Sequence, residues 1–238
     1  MKRLNPSAVL ILLFVLSLFK YDALYSQLNL KVGYNGVKLN PKKTIEIIDK
    51  FNTTLLSQST TLHDDLNKIK NMHGIEIGLR YRIRNIGFEL SWSSISTKND
   101  VYATLSNDQL FQDKWYYSLT EYSLGVENYF GKLGYGAALG YQTYRIKTDI
   151  TGVQRKKSPV VTESGATSKF YLIFQFPGDL VGIAFKPYFQ IPLGKYNISS
   201  FDQTLNEQIQ EGYQSTGNYD EDMQLFGISI LLYNGRQN

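Results

Sequence analysis

Hydrophobic and polar residues alternate with a period of two through most of this chain. The clearest case is the hairpin from Trp115 to Lys147. Thr120, Tyr122, Leu124, Val126, Asn128 and Phe130 form one face of its first arm, and Glu121, Ser123, Gly125, Glu127 and Tyr129 the other. After Gly131-Lys132, Leu133, Tyr135, Ala137, Leu139 and Tyr141 oppose Gly134, Gly136, Ala138, Gly140 and Gln142. Period-two alternation marks a half-buried strand. Each arm has an apolar, aromatic-tipped face and a small or charged face. The small face suits a narrow interior, so the apolar face is read as the outside, as in a barrel wall that meets lipid.

The same pattern predicts eight strands. They lie near residues 28–39, 73–83, 86–97, the two arms of the opening hairpin, and residues 169–176, 180–193 and 223–233. The run from His73 to Ile83 is the most regular, with Ile75, Ile77, Leu79, Tyr81 and Ile83 alternating with Gly74, Glu76, Gly78, Arg80 and Arg82. Pro187 falls inside the seventh strand and predicts a local bulge. Three connections read as tight hairpins, at Arg84-Asn85, Gly131-Lys132 and Gly178-Asp179, where glycine or asparagine would supply positive φ. Four read as long, at about 40–72, 98–114, 148–167 and 194–221. Strict alternation of short and long connections puts short turns on one rim and long loops on the other, both termini lying on the short-turn side.

Two long loops carry helical spacing. Asn40 and Pro41 predict a capped helix start, with Ile45, Ile48 and Phe51 following. Ser200 and Gln203 match a capping box, with Phe201, Leu205 and Ile209 following. These helices are expected to cover the barrel mouth. The other two long loops, KNDVYATLSNDQLFQDK and TDITGVQRKKSPVVTESGAT, read as polar and mobile. The expected fold is all-β: an eight-stranded antiparallel up-and-down transmembrane barrel with long external loops, two of them partly helical.

The N-terminus reads as a secretory leader. Lys2 and Arg3 precede a 12-residue apolar run, Ala8–Phe19, with small residues at Ala23 and Ser26. The run is too short and its flanks are wrong for a membrane helix. Cleavage is placed after Ser26, with Ala23 as the alternative, giving a signal peptide at 1–26 and a barrel domain at 27–238. Losing Lys2, Arg3, Lys20 and Asp22 reduces 25 basic and 21 acidic residues to 22 and 20, a net charge of +2. That balance implies no nucleic-acid partner. The chain has no cysteine, which excludes disulfides and thiol chemistry. Past the leader, no run approaches the roughly 20 apolar residues of a membrane helix, and without helices only a closed barrel satisfies its backbone in lipid.

The leader, the alternating strands, wall segments such as Leu133–Tyr141 (LGYGAALGY) and a final apolar strand resemble the small outer-membrane β-barrel proteins of Gram-negative bacteria. They are most similar to the Bacteroidetes-type outer membrane protein beta-barrel group, with its OmpX/OmpA-like and PorT-like eight-stranded barrels. The last strand departs from the common form by ending Tyr233-Asn-Gly-Arg-Gln-Asn rather than in an aromatic. The resemblance implies outer-membrane lipid and lipopolysaccharide as surroundings, an envelope or surface protein as partner, and a role as structural barrel, adhesin-like protein or component of the Por (type nine) secretion machinery.

The interior faces carry Lys31, Arg80, Arg82, Lys169 and Lys186 with Glu76, Glu89, Glu121 and Glu127. An eight-stranded barrel is just wide enough to be filled by side chains, so these charges predict an ion-pair network that closes the lumen. A narrow gated pore is the alternative. Tyr81, Trp92, Tyr122, Tyr135, Tyr141 and Phe189 read as membrane-interface aromatics, and Tyr116, Tyr117 and Tyr188 as interface or rim packing. Hydrolytic barrels, including lipid A-modifying and proteolytic ones, need a histidine beside a nucleophile or acid. Only His63 and His73 are present, and neither has that neighbourhood. A metal site at His63-Asp64-Asp65 would need adjacent side chains to converge on one ion. No catalytic residue, metal or cofactor is therefore assigned, and the protein is expected not to be an enzyme. Loop tyrosines Tyr102 and Tyr213 are candidates for stacking on sugars, and Arg155, Lys156 and Lys157 for contact with lipopolysaccharide phosphates.

Overall fold

The structure, a computed structural model, describes residues 26–108, 110–150, 158–209, 215 and 217–234. Residues 1–25 of the expected leader (1–26), the Arg155-Lys156-Lys157 run and Tyr213 lie outside the described residues. Eight strands close into a barrel: β1 (Ser26–Leu39), β3 (Asn71–Ile83), β4 (Ile86–Leu105), β5 (Leu110–Phe130), β6 (Leu133–Ile150), β7 (Ser158–Phe176), β8 (Val181–Pro192) and β11 (Leu225–Asn234). Each pairs antiparallel with its neighbours in chain order, and β1 pairs with β11 to complete the ring. A short strand, β2 (Ser59–Asp64), adds to the edge of β4 above the end of β3. The connections also hold two helices, α1 (Lys42–Gln58) and α2 (Ser199–Gln208), and a two-residue pair, β9 (Tyr196–Asn197) with β10 (Asp220–Glu221).

The inverted pattern is real. Leu28, Leu30, Val32, Ile75, Leu79, Phe88, Leu90, Leu124, Leu139, Phe170 and Leu172 are all exposed on the outer wall, while Lys31, Glu76, Arg80, Glu89, Glu121, Glu127, Lys169 and Lys186 are buried inside. On β5 the exposed outer run extends from Tyr122 to Phe130. Eight residue steps on a strand tilted near 40° give a belt about 20 Å tall, close to the apolar band of a membrane barrel.

The interior is filled by tyrosines lying over glycines on the next strand. Tyr129 pairs with Gly134, Tyr171 with Gly136, Tyr188 with Gly227 and Tyr233 with Gly182. A Cβ at Gly227 would overlap the Tyr188 ring, and one at Gly182 the Tyr233 ring. Glycine there leaves the slot that the ring occupies, which is why one face of these strands reads as small.

Several local expectations are corrected. Four strands run well past their predicted ends: β4 to Leu105, β5 from Leu110, β6 to Ile150 and β7 from Ser158. The stretches read as mobile loops at 98–114 and 148–167 are mostly strand, and the β4–β5 connection is four residues long. The positive φ of the first hairpin falls on Arg84 rather than Asn85, and Gly178 does not take one; the β7–β8 connection is a four-residue link rather than a two-residue hairpin. Pro187 makes no bulge: pairing with β7 lapses between Tyr171–Tyr188 and Phe174–Phe185 and resumes in the same register, while the β11 side stays intact. The missing N–H thus costs ladder bonds on one side only. Ser200 lies inside α2 and forms no capping box, and Asn40 does not cap α1, whose N-cap position is Pro41. The buried stripe of α1 is Thr44, Ile47, Ile48, Phe51 and Leu55, so Ile47 takes the place expected of Ile45.

Gly227→Val places a branched side chain where the Tyr188 ring sits. It should destabilise the barrel by about 1–3 kcal/mol, as overpacking does, and lower the urea midpoint of the folded band on unheated gels.

Candidate functional site

The predicted interior charges occupy one continuous layer across the barrel. β1 supplies Lys31, β3 Glu76, β4 Glu89 and β8 Lys186, because each sits on the inward phase of its strand. Lys186 Nζ donates to Glu76 Oε1 at 2.5 Å and Glu89 Oε1 at 2.9 Å. Lys31 pairs with Glu89 and lies 3.7 Å from Glu76. Ser229 Oγ donates to Glu76 Oε2 at 2.7 Å. Two lysines and two glutamates from four strands thereby form a closed quartet. Lys169 pairs with Glu121, which also accepts from Thr167 Oγ1 at 2.8 Å. Tyrosines flank both groups: Lys186 lies 5.1 Å from the Tyr171 ring centre, and Lys169 lies 4.9 Å from that of Tyr188.

Arg80 and Glu127 are joined through a tyrosine. Arg80 Nη1 donates to Tyr129 Oη at 2.8 Å, and Tyr129 donates to Glu127. Arg80 Nη2 also donates to Asn29 Oδ1 at 3.2 Å, and its guanidinium lies 4.9 Å from the Tyr233 ring centre. Arg82 stands apart. It is partly exposed at the short-turn rim, donates Nε to the Arg84 carbonyl at 2.7 Å and lies over the Tyr129 ring. With Arg82 at the rim, the buried layer holds four cations and four carboxylates. The sequence places Tyr129 on the inner face, but from it neither Tyr129 nor Tyr171, Tyr188 or Tyr233 is expected to take part in the network. Their signal is the strand phase they share with the charges. The same phase corrects Tyr188, which is buried inside the barrel, while Tyr117 takes the rim-packing role, buried against Phe201 in the mouth.

The six residues read as interface aromatics all stand on the outward phase. Tyr122, Tyr135 and Tyr141 are exposed, and Tyr81, Trp92 and Phe189 partly so. Trp92 is paired with Tyr122 and Tyr122 with Tyr141, so three adjacent strands carry a continuous aromatic row. Phe170, Phe189 and Phe226 form a second row on the far side.

Above the belt, the long ends of β4–β7 rise as a wall, and α1 and α2 pack against its inner face. Phe201 meets Trp115 and Tyr117 edge-on, with ring centres 5.0 and 6.2 Å away, and Phe51 meets Phe111 at 6.2 Å. Polar ties fix this external cap. Glu221 Oε2 accepts from the Thr44 N–H at 2.7 Å and Thr44 Oγ1 at 2.9 Å, capping α1 from a distant segment. Asn52 and the Leu66 backbone exchange two bonds of 2.9 Å. Asp113 accepts from Thr148 Oγ1 and the Lys114 N–H at 2.7 Å, and from Gln208 Nε2 at 2.9 Å, linking the end of α2 to the wall. Asp113 lies about 20 Å above Tyr122 by strand rise. Burial pushes its carboxyl up to about 6, against the pull of those donors, and burial also raises Glu221. Neither acid was picked out from the sequence, because residues 98–114 and 194–221 read as loops.

The two histidines are far from this chemistry. His63 packs against Tyr102 in a tilted pair with ring centres 4.7 Å apart and lies 3.3 Å from Thr104 Oγ1. His73 stacks on Tyr34 on the outer wall. Among the described residues, no group of three His, Asp or Glu side chains is placed to hold a metal ion.

Two outcomes follow. Lys169→Met leaves Glu121 buried without its cation and should cost about 3–5 kcal/mol, whereas adding Glu121→Gln should recover most of that loss in urea unfolding. For the cap, a raised carboxyl value means that the folded form holds its proton more tightly than the unfolded chain. The stabilisation is complete below the ordinary carboxylate range and is lost as pH rises through about 6. Protection of the α2 amides, taken relative to their intrinsic exchange at each pH, should therefore be greater at pH 4 than at pH 7 by about 2 kcal/mol, and Asp113→Asn should flatten that difference.

No protein-family model and no curated protein sequence matches this chain. Among solved structures it is similar to Ail, the attachment invasion locus protein of Yersinia pestis in complex with the heparin analogue sucrose octasulfate, at 10% identity and TM-score 0.48, covering 89% of this chain and 99% of that one. It is similar to Neisserial surface protein A at 11% identity and TM-score 0.43, covering 88% and 97%. The toluene transporter TodX of P. putida overlaps at 10% identity and TM-score 0.19, with 66% of its length covered. At such values the architecture rests on this chain's own strand pairing and outer wall: it is an eight-stranded transmembrane β-barrel of the outer-membrane type.

Proposed function

We propose that this protein is a non-enzymatic integral outer-membrane barrel, exported through a cleaved leader, whose lumen is closed by paired charges and whose external cap serves surface interaction or envelope structure. One observation carries the reading: the Lys31–Glu76–Glu89–Lys186 quartet spans the lumen from four strands. Opening a path for ions there would separate charges held in a low-dielectric layer, at a cost of several kcal/mol each. The tyrosines over glycines fill the remaining width, as expected for a barrel of eight strands. The cap, held by its own apolar core, closes the outer mouth a second time. Its surroundings in this reading are outer-membrane lipid and lipopolysaccharide, with a surface or envelope protein as partner of the outer face.

Two measurements test this. The barrel should migrate differently on gels before and after boiling, and purified protein in planar bilayers should show no steady conductance. Large sustained openings would refute the closed lumen. Extraction by salt alone with no gel shift would refute the membrane placement. Lys186→Ala, which breaks the quartet, should give brief openings absent from the unaltered protein.

A further inference from the structure

We infer that the outer wall carries a binding site for the phosphorylated sugar headgroup of an outer-leaflet glycolipid, in a concavity lined by His73, Ser96, Lys98, Tyr116, Ser118 and Lys147. The inference rests on the membrane placement proposed above and adds to it a defined ligand class.

The strand register sets the height of this site. The aromatic row Trp92–Tyr122–Tyr141 marks the outer edge of the belt. Two residues further along each strand, Ser94, Thr120 and Thr143 form a row of hydroxyls. The next row is His73, Ser96, Ser118 and Arg145, and the one after it Lys98, Tyr116 and Lys147. Each row rises about 5 Å on a strand tilted near 40°. The concavity therefore begins about 10 Å beyond the aromatic row. Glycerophospholipid headgroups add only about 5–8 Å to each side of a hydrocarbon core. The site lies at or past their phosphates, at the level of a bulkier sugar headgroup whose acyl chains lie on the belt below.

Its lining suits that chemistry. The space is about 530 Å³, within the range of small-molecule sites and much larger than a phosphate alone. Serine hydroxyls and the Tyr116 ring offer hydrogen bonds and a stacking face for a sugar. Lys98 and Lys147 supply positive charge from opposite sides of Tyr116, and Arg145 stands one row below. Asp100 lies 3.8 Å from Lys98 in an exposed pair that contributes little. Lys114 and Asp149 border the site one row higher, cross-strand partners in the register. On β7, the two rows above the belt carry Ser164 and Thr162 and no cation. The cations at this height are Lys98 on β4 and Arg145 and Lys147 on β6, with Lys38 on β1 beyond His73. His73, stacked on Tyr34, separates the concavity from a second outer groove floored by Gly36 and edged by Lys38 and Phe226.

The test uses the full mature chain in nanodiscs doped with bis-phosphorylated lipid A or with its dephosphorylated counterpart, counting retained lipid by native mass spectrometry. The phosphorylated form should be retained about tenfold or more in preference, and Lys98→Ala with Lys147→Ala should abolish most of that preference, given the usual contribution of a lysine near an anionic surface. Both lysines point outward, so the gel shift should be unchanged in the double variant. Equal retention of the two lipids, or a preference untouched by the double variant, would overturn the inference while the gel shift keeps the membrane placement standing. Displacement by a soluble phosphorylated disaccharide at equal concentration would overturn the lipid source and assign the site to a free sugar phosphate. Absence of the gel shift in the unaltered protein would overturn the membrane placement, and this inference with it.

Discussion

The pairing of β1 with β11 is the constraint on which everything else in this molecule depends. It joins Lys31 to Tyr233 and Leu39 to Leu225 in one unbroken register. It leaves no free sheet edge at the level of the apolar belt. A wall of Leu, Ile, Val and Phe in lipid cannot tolerate an unpaired N–H or C=O, so the ring must close for the wall to exist. Asn29 strengthens the seam, donating Nδ2 to the Asn234 carbonyl at 2.5 Å, while Asn234 Oδ1 accepts from the Leu30 N–H at 2.7 Å.

Closure at eight strands then determines the interior. The outer face is turned to lipid, so the inner face inherits every residue that lipid would reject. It is also too narrow to hold those residues in bulk water. The charges can only be neutralised by one another, which is what the quartet and the Lys169–Glu121 pair do. The tyrosine–glycine pairs address the remaining volume. A ring from one strand fills the slot left on its neighbour. The Tyr129 hydroxyl also reaches Glu127, and that of Tyr188 reaches Asn35 Oδ1 at 2.8 Å. At those two positions packing and polar satisfaction are met by the same side chain.

The external part is a separate solution to a separate problem. Above the belt, solvent surrounds the strands, and the wall of β4–β7 turns an apolar inner face toward the mouth. Trp115, Tyr117 and Ile146 would be wet without the two helices. The cap is a small water-soluble core built on top of a membrane barrel, and ordinary inside-out logic returns there. The inversion of hydrophobic pattern in the lower half and its normal sense in the upper half meet on the same strands.

Period-two alternation by itself determined the number of barrel strands and the faces of the belt, because a strand's faces follow from residue number alone; it did not show that Arg82 ends at the rim. The two helical segments were also legible, from the spacing of Phe201, Leu205 and Ile209 and of Ile48 and Phe51. Strand length was not. Residues 98–114 and 158–167 are polar on their outer face and aligned by neighbours far away in sequence, so nothing local distinguishes them from loops. Helix capping was misread for the same reason: Glu221 caps α1 across 177 residues, leaving Asn40 no part in it. Only the tertiary structure decided which charges pair, which tyrosine fills which slot, and that Asp113 and Glu221 tie the cap down. Those outcomes depend on how eight strands stagger around a closed ring, and stagger is a property of the whole barrel rather than of any one segment.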